Sequence, residues 1–271
     1  LIGGRRVFLL PLFYKEKIMK IKKENNSNVI NVYWAPHSVS DDSTVTEFVG
    51  NWNMLYEEPY SVFKHWSQFD LKGQHRSFIA CPAFKNLSKN IYAWNWPIDC
   101  SYVYDSEDGS VEGTSINYIG AKWPRTQTMS VGPAIEMSYR LHMLADQPVE
   151  IQITGPYLQK AEYQKYGFLT SGQFDTGQWF RTLNVEIQTY QNKGELHFKG
   201  GEPIFYINFL TDKKIIFHRF ELTSEIDTYS RRCVENATMF GSGTPLPKLY
   251  NIFNKTRTKE ILMKKIKAQL I

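Results

Sequence analysis

Through its middle the chain alternates apolar and polar residues one by one. In "AIEMSYRLHML" (134–144) Ile135, Met137, Tyr139, Leu141 and Met143 fall on one side, and Glu136, Ser138, Arg140 and His142 on the other. A period of two is the mark of a half-buried strand. It returns in "VEIQI" (149–153) and in "LNVEIQT" (183–189). Further strands are expected at 28–34, 76–81, 90–96, 100–104, 195–198, 203–209 and 213–220, with turn clusters such as "DSEDGS" (105–110) and "TSGQFDTG" (170–177) between them. Many strands without interleaved helices exclude a doubly wound α/β sheet. The pattern predicts a mainly β fold, a jelly-roll or double-stranded β-helix-like sandwich with C-terminal helices.

The period changes near the end. "SEIDTYSRRCVEN" (224–236) reads as a short helix and "GSGTPLP" (241–247) as a break. In "TKEILMKKIKAQLI" the residues Leu262, Ile266 and Leu270 form one stripe, with Thr258 as the expected N-cap. A basic amphipathic helix from about Lys259 to Ile271, docked on the body, is the expectation. The segments are thus a basic extension (1–23), a β domain (24–222) and a helical segment (223–271).

A chain of 271 residues, 42% apolar and 15% aromatic, can bury one large β core. Its formal charge of +5 suggests nucleic acid until the distribution is read. Residues 1–23 carry seven Lys/Arg against Glu16, and 244–271 carry seven against Glu260, so each end is +6 and the body between them is −7. An acidic body gives no strong nucleic-acid signal, and self-association or a protein partner is the expectation. The apolar run "VFLLPLF" is short and broken by Pro11, so it makes a poor signal peptide; Met19 reads as a natural start, with 1–18 as upstream sequence. No run approaches the roughly 18 apolar residues of a membrane span. Cys81, Cys100 and Cys233 form neither a zinc pattern nor a disulfide framework, which points to a reducing compartment.

Candidate chemistry is sparse. No G-x-S-x-G, Walker loop or G-x-G-x-x-G is present. Cys81, before Pro82 in "IACPAF", reads as a buried structural thiol, and "DSEDGS" as a solvated hairpin turn whose spacing departs from a calcium loop. In "IYAWNWPID" Tyr92, Trp94, Trp96 and Ile98 share one side of a strand. Such a row can stack on sugar rings or bases, but Ile98 argues that it faces the core. Trp179 and Arg181 make a second candidate ligand pair, with the guanidinium over the indole.

The run "GQFDTGQWFRTLNVEIQTYQNKGELHFKGGEPIFYINFLTDKKI" (172–215) resembles uncharacterised β-rich proteins of marine bacteriophages and bacteria, a domain of unknown function. Its landmarks are a W-x-R-x-L strand and a following GEP strand, with "GP" (155–156) and "CPAFKN" (81–86) as further points of likeness. The resemblance implies a β-rich fold, a phage or bacterial source, and a place in the host cytoplasm or the virion. The "GGEP" turn is also similar to the glycine corner of cupins; Gly200 or Gly201 is then expected at positive φ, with Pro203 opening the next strand. A cupin-like oxygenase or isomerase would need a metal, iron or manganese. The only set the strands can offer it is His142, Glu150, Glu186 and His197, whose positions read more simply as solvent faces. The expected function is non-enzymatic binding or assembly, with the cupin-like enzyme and a carbohydrate-binding module as alternatives.

Overall fold

The structure is a computed structural model that describes residues 28–36, 55–69, 81–87, 89–107, 110–113, 121–125, 133–239 and 245–271. The basic extension, the expected start at Met19 and most of the expected strand at 76–81 lie outside the described residues. Among the described residues the strands form three sheets. The first contains β1 (Val29–Pro36), β6 (Ala121–Arg125), β7 (Ala134–Ala145), β9 (Gly167–Leu169), β11 (Thr182–Thr189) and β14 (Lys214–Arg219). Its order is β14-β1-β7-β11-β9, with β6 also paired to β7. The second, ordered β10-β8-β13-β3-β2, contains β2 (Tyr60–Ser61), β3 (Ile91–Asn95), β8 (Glu150–Thr154), β10 (Gly172–Asp175) and β13 (Pro203–Phe209). The third is a small sheet, β12-β4-β5, of β4 (Cys100–Asp105), β5 (Ser110–Gly113) and β12 (Lys193–Phe198).

The protein is therefore a mainly β, sandwich-like fold with C-terminal helices. Alternation explains its core: Ile135, Met137, Tyr139, Leu141 and Met143 of β7 pack against Trp94, Ile151, Ile153, Phe205 and Phe209 of the second sheet in one buried cluster. The third sheet adds Tyr102, Tyr104, Leu196 and Phe198 to it. Strand pairing is antiparallel except between β1 and β14, where Val29–Trp34 run parallel to Lys214–Arg219. The ends of "DSEDGS" pair, with Asp105 opposite Ser110 in the antiparallel β4–β5 ladder, while residues 108–109 of the expected turn lie outside the described residues.

Helices cover both outer faces, and the alternation pattern does not foresee this. α1 (Val62–Phe69) lies between strands β2 and β3 in the chain; its Val62 and Trp66, four apart, sit on Ile91, Ala93 and Tyr206 outside the second sheet. A short α2 (Pro82–Leu87) follows, and Cys81 before it is exposed instead of buried, its carbonyl accepting the Lys85 amide at 3.0 Å. Outside the first sheet lie α3 (Ser224–Met239), α4 (Leu246–Lys255) and α5 (Thr258–Ala268). They bury Ile226, Leu249, Phe253, Leu262 and Ile266 against Tyr33, Leu144, Trp179 and Phe180. The C-terminal helix thus docks. Leu270, expected on its buried stripe, is instead 46% exposed, because α5 has already ended and the chain turns to bridge Phe220. Thr258 is the first helical residue and not the cap; Arg257, at φ 54°, takes that place without a capping side chain. Among the described residues no helix is long and apolar enough to cross a membrane.

The glycine corner is present. Gly201 has φ +80° and donates its amide to the Trp96 carbonyl at 2.9 Å, while the Glu202 carbonyl accepts the Trp96 amide at 2.7 Å. Pro203 then opens β13 opposite Asn95, at a register shift, so its missing N–H interrupts no regular ladder. The Glu202 carboxylate accepts the Glu162 amide at 2.6 Å, tying the corner to a 3-10 turn (Glu162–Lys165).

Candidate functional site

Between Leu169 and Gly172 the chain leaves the edge strand of the first sheet and enters the edge strand of the second. β9 pairs with β11 (Ile187 opposite Leu169), and β10 pairs with β8 (Phe174 opposite Ile151). The Thr170 amide, donating to the Glu186 carbonyl at 2.8 Å, holds the crossing. "TSGQFDTG" is therefore not all turn; Gly172–Asp175 is a strand because its partner β8, distant in sequence, supplies a ladder. The two sheet edges leave a cleft of about 300 Å³ between them. Ile153, Phe174 and Val185 line its floor, and Trp179, Leu246 and Tyr250 form a wall under α4.

Its polar groups are few and differ in how they are engaged. Gln173 donates to Glu150 Oε2 at 3.4 Å and Asn184 to Glu136 Oε1 at 2.7 Å, so these amides hold the two neighbouring carboxylates. Arg181, exposed at the cleft, makes no hydrogen bond or ion pair among the described residues. Tyr250 is buried; its Oη accepts the Asp175 amide at 3.1 Å, and burial raises its pKa, so the phenol keeps its proton. Asp175 cannot serve a ligand: its carboxylate accepts the Val149 amide at 3.0 Å, the Gly177 amide at 2.8 Å and Gln178 Nε2 at 2.6 Å. Lys259 of α5 reaches the Gly177 carbonyl, and burial lowers its pKa against the opposing pull of Asp175 and Asp146. The hub of Asp175, Gly177 and Lys259 thus anchors the helices beside the cleft.

The sequence's candidates fare unequally. Trp179 and Arg181 line the cleft together, but Trp179 is only 3% exposed and packs on Tyr250 and Phe253. The cation over an indole is instead Arg219 above Trp34, 4.9 Å from its centroid. Trp94 and Trp96 are each 1% exposed; Tyr92 and Ile98 join them in the core, so this row offers no stacking face. That removes the surface on which the carbohydrate reading rested.

The four metal candidates do not converge. His142 is fully buried beneath α3, its Nε2 3.6 Å from Asp227 Oδ1, which corrects its expected solvent face. Glu150 is an exposed residue of the second sheet. Glu186 sits opposite Glu136 while His142 sits opposite Thr182, which separates the two by four residues, roughly 13 Å, along the strand. His197 is in the third sheet. Among the described residues no three His, Cys, Asp or Glu side chains are grouped to hold a metal ion.

His197 has other partners, which the sequence reading missed. Ser101 Oγ lies 2.6 Å from its Nδ1 and Glu195 Oε2 3.0 Å from its Nε2. Alternation puts Glu195 and His197 on one face, and cross-strand register brings Ser101 opposite His197. The hydroxyl lies in a regular ladder whose amides serve strand pairing, so no preformed donors surround a developing oxyanion. The trio is a polar cross-strand network against Tyr166, whose ring is 5.1 Å from the imidazole. Compared with protein families, curated proteins and solved structures, the chain matches none.

Proposed function

We propose that the protein is a non-enzymatic binding protein whose site is the cleft between the two sheet edges, capped by α4. One observation carries the reading: the guanidinium of Arg181, which has no ion-pair partner among the described residues, opens onto a cleft walled by Trp179, Leu246 and Tyr250. A cleft with apolar walls and few polar groups is the usual build of a small-molecule site. Among the described residues no histidine, cysteine or carboxylate lines it, which supports binding over turnover. Phe168, exposed on edge strand β9 with its ring 6.1 Å from that of Tyr190, supports a role in assembly beside binding. The jelly-roll winding belongs to the same proposal, supported by facing sheets with nearly all pairs antiparallel. The resemblance over 172–215 supports a phage or bacterial source, and with it the host cytoplasm or the virion.

The test is a thermal-shift screen of chemically diverse small molecules, repeated on Leu246→Trp. Leu246 lies at the helix start and is 36% exposed, so the larger ring fills the cleft without disturbing the core. Saturable ligands that stabilise the wild type and lose their effect on Leu246→Trp are expected. A screen without ligands, or ligands indifferent to the substitution, would overturn the reading.

A further inference from the structure

We infer that the ligand of this cleft carries a single carboxylate on an apolar body, a step that rests on the binding reading above. The charge arrangement comes first. Among the described residues Arg181 is the only cationic side chain lining the cleft, and the carboxylates on the adjoining strands meet cleft-lining amides: Glu136 accepts from Asn184 and Glu150 from Gln173. A guanidinium presents parallel donors that match the two oxygens of a carboxylate, and pairing beside apolar walls is stronger than in open water.

The remaining lining limits the anion to one charge. A phosphate ester carries close to two negative charges and would need more than one cation. Here the next charged groups along the floor strands are acidic: Asp175 ends β10 opposite Glu150, which begins β8. A monoanion is balanced by Arg181; a dianion is not. The apolar requirement follows from the walls, where Phe174, Trp179 and Leu246 offer an aromatic and aliphatic surface. A volume of about 300 Å³ sits at the small end of ligand sites and suits an aryl or medium-chain acid. The Tyr250 phenol, on the same wall, has no described acceptor for its hydrogen and can donate it to the acid or to a substituent on the body.

The experiment is calorimetric titration with octanoate, 4-phenylbutyrate and indole-3-acetate, each beside its uncharged primary amide, and with phenyl phosphate. Arg181→Gln and Arg181→Lys are titrated in parallel, both checked for wild-type melting, since Arg181 is exposed. At least one acid is expected to bind about tenfold or more tighter than its amide, the size of a charge-assisted pair. Arg181→Gln should bring that acid down to its amide, while Arg181→Lys should recover part of the gap because the charge remains and the fork is lost. Amides binding as well as acids, or phenyl phosphate binding tighter than every acid, would overturn the carboxylate inference and leave the binding site standing. Failure of acids, amides and phosphate alike would remove the binding reading with it.

Discussion

At the scale of single residues, two glycines separate what is written locally from what is not. Gly201 is announced by its own dipeptide: at φ +80° a β-branched side chain is strained, though open space surrounds the Cβ position. Gly201→Val should therefore cost about 1–3 kcal/mol in urea unfolding, through backbone strain alone. Gly177 has no such signature. A Cβ there would lie 2.0 Å from the Gln147 carbonyl oxygen, a contact across the fold that no local pattern encodes. Gly177→Ala should cost about 3 kcal/mol, whereas Gly172→Ala, with nothing within 4 Å, should stay within about 0.5 kcal/mol. A Gly177→Ala protein as stable as Gly172→Ala would refute the close approach. The thiols make the same division. Cys100 and Cys233 are buried with raised pKa values, Cys233 to about 12, and Cys81 is exposed. A disulfide reagent at neutral pH should titrate Cys81 alone in the native protein and all the cysteines after unfolding. The flanking apolar residues of Cys81 misled because they describe its neighbours, while exposure is set by where α2 begins.

Elements were legible where the pattern was long. β7, which alternates from Ile135 to Met143, and β13, announced by its corner, follow the sequence closely. β10 was not, since its four residues are a strand only because β8 is there to pair. Alternation told which residues of β7 turn inward, but could not tell that a helix beginning at Ser224 would cover His142 from outside. The cleft was hidden for the same reason: Trp179 and Arg181 were visible as a pair, while Leu246 and Tyr250 reach them only through the docking of α4. That docking depends on α5, whose Leu262 and Ile266 are fully buried and whose Lys265 pairs with Glu225 at 2.6 Å. The ion pair is exposed and contributes little, so the apolar stripe governs. Leu262→Ala should cost about 2–5 kcal/mol by leaving a cavity between helices and sheet. Truncation at residue 256 should lower the melting temperature further, and a truncated protein that melts like the full chain would show the helix to be a free arm.

Across the whole molecule the two main buried clusters share the first sheet as a wall: Trp34 points into the sandwich while its neighbours Tyr33 and Ala35 point to the helices. Both clusters enclose groups that resist losing a proton. Burial raises the pKa of Tyr102, Tyr139 and Tyr163 in the first, where Cys100 also lies, and of Cys233 in the second. Each is an acid whose folded pKa exceeds its unfolded one, so above the unfolded value the native state holds more protons than the unfolded chain, and stability falls as pH rises. The loss begins near the ordinary thiol value of about 8.5 and steepens beyond the ordinary phenol value of about 10. Lys259 acts in the opposite sense, because its lowered pKa makes the unfolded chain the better proton binder below about 10.4; it is one group against several. The denaturation midpoint should therefore be level at neutral pH and drop through the alkaline range. The shared wall adds a second expectation: aromatic near-ultraviolet and helical far-ultraviolet circular dichroism should be lost in one transition. A midpoint that rose above pH 10 would contradict the burial of these thiols and phenols, and a helical signal lost well before the aromatic one would mean that the helices and the sandwich do not share a core.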